Sequence, residues 1–110
     1  MSEYVREIDQ AQYETEVIAA TTPVVLDFFS TECPPCEALA PKYEAVAEQF
    51  AGKVKFLKIF RQGNKELAAR LGVAGSPTLV FFKAGKEFGE RMTGEIKRTE
   101  LKKSVEQLVG

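Results

Sequence analysis

Apolar positions along the chain alternate between short runs and helical stripes. Val24 to Ser30 is apolar on both alternating faces and is interrupted only by Asp27. That pattern marks a central strand covered on both sides. Val54 to Phe60 reads as another buried strand, and Thr78 to Phe82 as a third. Tyr4 to Ile8 makes a short first strand. Lys83-Ala84-Gly85-Lys86 reads as a turn and Phe88 to Thr93 as the returning strand of a β-hairpin.

Helical spacing fills the intervals. Ala11, Val17, Ile18 and Ala20 form a modest stripe for a first helix. Asp9 and Gln12 resemble a capping box at its start, and Thr21-Thr22-Pro23 breaks it. From about Pro34 to Phe50, Leu39, Tyr43, Val46, Ala47 and Phe50 recur at helical spacing. Pro41 predicts a kink in this helix, and Gly52 ends it. Asn64 is read as the cap of a short helix through Leu71, stopped by Gly72. Ile96, Leu101, Val105, Leu108 and Val109 mark a C-terminal helix without a clear cap. The order β-α-β-α-β-α-β-β-α predicts an α/β fold: a central mixed sheet of about five strands flanked by about four helices.

Composition narrows the function. At 110 residues and 45% apolar, the chain suits one domain, 1–110, with a real core. A net charge of −1, with acids and bases interspersed, gives no electrostatic support for binding nucleic acid or an anionic membrane. No apolar run reaches transmembrane length. The polar start, Met1 to Glu7, is not read as a signal peptide. A cytoplasmic protein is the default expectation, although a mature form cut from a precursor has the same appearance. Histidine is absent, which excludes His-based catalysis. Two cysteines are too few for a disulfide scaffold at this size.

Those cysteines lie in Glu32-Cys33-Pro34-Pro35-Cys36-Glu37, at the step from the central strand to the long helix. A Cys-x-x-Cys pair in a β/α pattern reads as a redox motif. A helix start leaves free N–H groups and a partial positive charge, which favour a thiolate. Cys33 at that start is the expected exposed nucleophile, and Cys36, one turn later and further inside, the resolving thiol. Pro34 and Pro35 suit a first helical turn but remove two donors. A structural zinc site wants four ligands, which one chain lacking other Cys or His cannot supply. A metal or cluster shared between two chains stays open.

Asp27 stands in an apolar run, and burial raises a carboxyl pKa. It is either a proton-handling group or an acid at a strand end reaching water. Lys58 alternates with Val54, Phe56 and Phe60. It either pairs with Asp27 or snorkels to solvent. Phe81 and Phe82 read as core. Glu32 and Glu37 are either solvated charges or a negative field that disfavours the Cys33 thiolate. With the missing proline donors, that field predicts a strongly reducing couple; stiffening of the loop by Pro-Pro works the other way.

Further motifs follow in order: Val73-Ala74-Gly75-Ser76-Pro77-Thr78-Leu79, then Lys83-Ala84-Gly85-Lys86, then Gly94. With Asp27, Cys33-Pro34-Pro35-Cys36 and Pro41, they make the chain resemble a thioredoxin over nearly its whole length. The resemblance implies a thioredoxin fold and a redox-active Cys33–Cys36 disulfide with no other cofactor. It implies protein disulfide substrates, a thioredoxin-reductase-like electron donor and a monomer. It places Asp27 beneath Cys36 to assist proton transfer. It makes Ser76–Pro77 cis and sets it beside Cys33, where the bond taken alone is expected trans. The Ser76 backbone is then free to pair with an extended substrate. A substrate groove of Glu32, Pro34, Pro35, Val73, Ala74, Gly75, Ser76 and Gly94 is implied, with loop packing the alternative for Val73, Ala74, Gly75 and Gly94.

The chain also departs from the family pattern. Glu32 stands where thioredoxins usually carry tryptophan, Pro34 in place of glycine, and Glu37 in place of lysine. Phe29 replaces a second tryptophan, and Ser76 the usual isoleucine or threonine. Serine there predicts a more open groove and a hydrogen bond to the sulfur. The expected function is protein disulfide reduction. The alternatives are a disulfide oxidant or isomerase, a non-catalytic binding module, and a shared metal-cluster protein.

Overall fold

The doubly apolar run becomes the middle of the sheet. In the computed structural model, which describes residues 2–110, β2 (Val24–Phe29) lies between β3 (Lys55–Phe60) and β4 (Thr78–Lys83). β1 (Val5–Ile8) flanks β3, and the short β5 (Lys86–Glu87) and β6 (Met92–Thr93) both pair with β4. β1, β3 and β2 run parallel, and β4 is antiparallel to β2. The sheet is therefore mixed, as the element order requires.

Helices bury both faces. On one side, α1 (Pro34–Gln49) and α3 (Arg98–Val109) bring Leu39, Tyr43, Val46, Leu101 and Val105 against Val25, Phe56, Leu79 and Phe81. On the other, Leu26, Phe28, Leu57, Ile59 and Phe82 meet Tyr13, Val17 and Leu67 of α2 (Lys65–Arg70). Leu26 and Phe28 are fully buried, and each such side chain contributes about 1.5–3 kcal/mol over its exposed state. No helix of the described residues is long and apolar enough to cross a membrane.

Several local expectations change. The first helix is not α-helical. A 3₁₀ turn, Gln10–Gln12, is followed by a π turn, Glu14–Ile18. The capping box does form, with Asp9 accepting from Ala11 N–H and Gln12 from Asp9 N–H. Beyond it the bonding slips to i→i−5, Ala19 N–H to Glu14 C=O at 2.9 Å. Lys55 Nζ holds the Glu16 carbonyl at 2.9 Å, giving that acceptor a partner outside the turn.

The returning strand is interrupted. After Phe88, which is exposed but whose N–H still reaches the Phe81 carbonyl at 2.8 Å, the chain leaves the sheet until β6, with Gly89 at φ +69°. A bidentate Arg91–Glu87 ion pair closes this bulge. The turn before it has positive φ at Ala84 and Gly85, as a tight two-residue hairpin needs.

Asn64 opens α2 but its side chain does not cap it. It accepts from Gln10 N–H and donates to the Phe60 carbonyl, both at 2.8 Å. Gln10 Oε1 in turn accepts from Leu67 N–H at 3.1 Å and so caps α2 from a distant segment. The cap missing from the start of α3 comes from within: Glu100 Oε1 accepts from Lys97 N–H at 3.4 Å. α1 continues through Pro41, which faces solvent, so water can take the carbonyl that loses its donor.

Candidate active site

The carboxyl ends of parallel β2 and β3 emerge at one edge, the usual place for chemistry in α/β sheets. From β2 the chain passes through Glu32, whose φ of +51° is left-handed for a side-chain-bearing residue, and enters α1. Cys33 is the N-cap residue, with extended backbone, and Cys36 lies in the first turn. The two are joined as a disulfide with Cα atoms 5.2 Å apart. Both are nearly buried, Cys33 at 8% exposure and Cys36 at 9%. The expected contrast of an exposed outer and a buried inner sulfur is therefore not present in the disulfide state.

The first turn offers the Cys33 sulfur few donors. Pro34 and Pro35 have no N–H, and Cys36 N–H is bonded to the Cys33 carbonyl at 3.0 Å. The helix field still acts on the sulfur, but a direct hydrogen bond from the first turn does not.

The Ser76–Pro77 peptide is cis, and Pro77 is buried. The Ser76 carbonyl oxygen lies 3.6 Å from Cys33 Sγ. It is thus the carbonyl, and not the expected hydroxyl, that faces the sulfur. The Ser76 hydroxyl is occupied elsewhere: it accepts from Arg61 Nε at 2.8 Å and bonds Ser30 Oγ at 2.5 Å. The position is therefore less open than a bare serine predicts.

The expected groove resolves into two clefts. Val73, Ala74, Gly75, Ser76, Pro77 and Gly94 line one of about 360 Å³. Pro34 and Pro35 line another of about 510 Å³ with Leu39, Lys42 and Ile96. Glu32 lies in neither and is exposed. A larger cleft of about 740 Å³ runs along β1 and the edge of β3 and touches neither cysteine.

Asp27 sits in β2 at 7% exposure, on the sheet face that α1 covers. Its Oδ1 is buried with no hydrogen-bond partner among the described residues. Burial raises its carboxyl from 3.8 to about 7, and the Lys58 ammonium pulls back against that rise. Lys58 is the register partner of Asp27 across β2 and β3. Among the described residues the two form no ion pair. Lys58 Nζ instead lies 5.3 Å from the centre of the Phe29 ring. Both readings of Lys58 are thus partly realised: charge offset through space, and a head group resting on an aromatic face. Tyr43 gives its hydroxyl to the Leu57 carbonyl at 2.7 Å, with the Val25 carbonyl at 3.0 Å. Burial first, and the Asp27 charge second, hold it as a neutral phenol.

Ser30 and Arg61 are the site neighbours that residue-type reasoning passed over. Each follows the last residue of its strand, and Phe29 pairs with Phe60 in register. The parallel register of β2 and β3 places them together, and residue type alone carries no signal of it. No group of three or more His, Cys, Asp or Glu that could hold a metal occurs among the described residues.

The thioredoxin family model matches residues 4–107. The thioredoxin of Haemophilus influenzae is 36% identical over 107 residues, 97% of this chain and 98% of that one. The thioredoxin of Peptoclostridium acidaminophilum is 34% identical over 110 residues, the full length of both. Thioredoxin X, chloroplastic, of Arabidopsis thaliana is 32% identical over 106 residues, but this chain covers only 58% of it. With a Cys-x-x-Cys disulfide at the start of α1 and a cis-proline loop against it, the chain belongs to the thioredoxin family of thiol–disulfide oxidoreductases.

Proposed function

We propose that this protein reduces disulfides in other proteins, acting as a single-domain monomer of the cytoplasm that a thioredoxin-reductase-like donor recharges. The observation that carries the reading is the Ser76 carbonyl set 3.6 Å from Cys33 Sγ at a helix start. An extended substrate strand pairing with that backbone brings its own sulfur to Cys33.

In the dithiol state the Cys33 thiolate attacks one sulfur of the substrate disulfide. The other substrate sulfur leaves as a thiolate and takes a proton. Cys36 then attacks the Cys33 sulfur, the second substrate thiol departs, and the Cys33–Cys36 disulfide closes. Two electrons and two protons pass to the substrate. Cys36 must lose its thiol proton in the second step. Asp27, with a carboxyl titrating at about 7 on the face beneath α1, accepts it directly or through one water. Pro77 holds the loop, and the two clefts beside the motif take the substrate chain on either side. No cofactor beyond the disulfide is needed.

The midpoint potential of the Cys33–Cys36 couple, equilibrated against a thiol–disulfide buffer, tests this reading. A reductant lies near or below about −270 mV, whereas oxidants and isomerases lie near about −120 to −180 mV. A value in the second range would replace the reductase reading. The Cys36→Ser variant should in parallel trap substrate proteins on Cys33 as mixed disulfides. A protein that kept its partners after loss of both cysteines would be a binding module.

A further inference from the structure

Because Phe29 and Phe60 are paired in parallel register, Ser30 and Arg61 leave the sheet side by side. Arg61 Nε donates to Ser76 Oγ at 2.8 Å, and the carbonyl of the same Ser76 lies 3.6 Å from Cys33 Sγ. One residue therefore links the guanidinium to the reacting sulfur. Arg61 spends only Nε on this anchor. Among the described residues its two terminal amino groups have neither a hydrogen-bond nor an ion-pair partner, and the side chain is only part-buried.

Three other cations near the site are engaged, whereas Lys97 lines the separate Pro34–Pro35 cleft, away from the Ser76 loop. Arg91, which lines the Ser76 cleft, is held by both carboxylate oxygens of Glu87. Lys58 rests over Phe29, and Lys42 donates to the Ile96 carbonyl at 3.1 Å. A guanidinium fixed through Nε presents its terminal pair as a fork that fits a carboxylate. Meanwhile Glu32 and Glu37 flank the motif, both exposed, and disfavour any acidic group that approaches.

The geometry points to Arg61 as a specificity residue that pairs with a carboxylate beside the substrate disulfide, so that disulfides flanked by acidic groups react in preference to those flanked by amines. The inference rests on the reductase reading and names its substrate class. The chemistry is that given above, with the carboxylate only bound; no bond forms at Arg61.

The test uses the full chain, reduced chemically and freed of reductant. Its second-order rate constants are measured with oxidised glutathione, which carries carboxylates, and with cystamine, which carries amines. The ratio of the two rates should fall about tenfold in Arg61→Gln, equal to about 1.4 kcal/mol, through loss of the glutathione rate alone. Arg61→Lys keeps the charge without the fork and should lie between. High salt should shrink the difference in this ratio between the wild type and Arg61→Gln. An equal slowing with both disulfides would make Arg61 a positioning residue for the Ser76 loop and overturn the proposal. An unchanged ratio would overturn it as well. If the wild-type dithiol reduces neither small disulfide and no protein disulfide such as insulin, the reductase reading itself falls and takes the proposal with it.

Discussion

Relative to the wild type, Asp27→Asn should gain stability as pH rises from acid to neutral and alkaline values. The native carboxyl titrates at about 7, against 3.8 for an ordinary aspartate. A raised carboxyl means that the folded state holds its proton over a window in which the unfolded chain has released it. Stability therefore falls as pH rises through about 4 to 7 and levels off above the folded value. At about 1.36 kcal/mol for each tenfold difference in proton affinity, the full cost in the wild type comes to about 4 kcal/mol above pH 7. Between pH 4.5 and pH 8 the change is about 3 kcal/mol. Asparagine cannot ionise, so it removes that slope, although a buried amide without partners adds a roughly constant penalty of about 1–3 kcal/mol. The quantity to read is the difference between variant and wild type as pH varies, because the amide penalty cancels from it. Urea unfolding of the disulfide forms at pH 4.5, 6, 7 and 8 supplies that difference. A gap between the two proteins that stays constant within about 0.5 kcal/mol over this range would refute the reasoning. It would mean that water or a shift of Lys58 solvates the carboxylate in the folded protein.

Asp27→Asn should also slow closure of the Cys36 disulfide by about 100-fold near pH 7 in stopped-flow measurements, the low end of what a positioned proton acceptor contributes. Gly85→Ala should cost about 2 kcal/mol or more by thermal or urea unfolding, because φ is +76° there and a Cβ meets the Ile18 carbonyl at 2.7 Å. Tyr43→Phe should cost about 1–2 kcal/mol in the same assay, since the Leu57 and Val25 carbonyls lose a buried hydroxyl.

Elements that owe their identity to periodicity were legible in the sequence, and those that owe it to distant partners were not. β2 was readable because a strand covered on both faces leaves no polar alternation, and α1 because its apolar residues repeat at helical spacing. The segment after β1 failed because Lys55, far along the chain, engages its backbone. By residue type Asn64 is a cap, yet Gln10 supplies the cap while Asn64 ties the two segments together. The returning strand is more broken than its pattern predicts, because Gly89 and the Arg91–Glu87 pair hold a bulge that apolar content does not reveal. At the site, both cysteines, Asp27 and the proline loop were visible as unusual residues at fixed spacing. Ser30 and Arg61 were not, because serine and arginine after a strand are ordinary, and only register brings them to Ser76.

The departures from the usual motif act in concert on the Cys33 sulfur. Pro34 and Pro35 take away two donors, and the remaining first-turn N–H is bonded to the Cys33 carbonyl. The nearest group across the cleft, the Ser76 carbonyl, is an acceptor. An acceptor favours a thiol that donates to it and disfavours a thiolate. Glu32 and Glu37 push in the same direction, reduced by their exposure. A thiolate with less support is a poorer leaving group, so on these grounds the midpoint potential is expected on the reducing side, against the opposing effect of a loop stiffened by Pro-Pro. Arg61 is the opposing influence, held one residue from the sulfur by the Ser76 hydroxyl. A hydroxyl at position 76 is what makes that tether available, because an isoleucine there has no oxygen to accept from Nε. The substitutions at Ser76 and in the Pro-Pro pair are therefore coupled: one removes backbone support for negative charge at the site, and the other recruits a side chain that restores part of it.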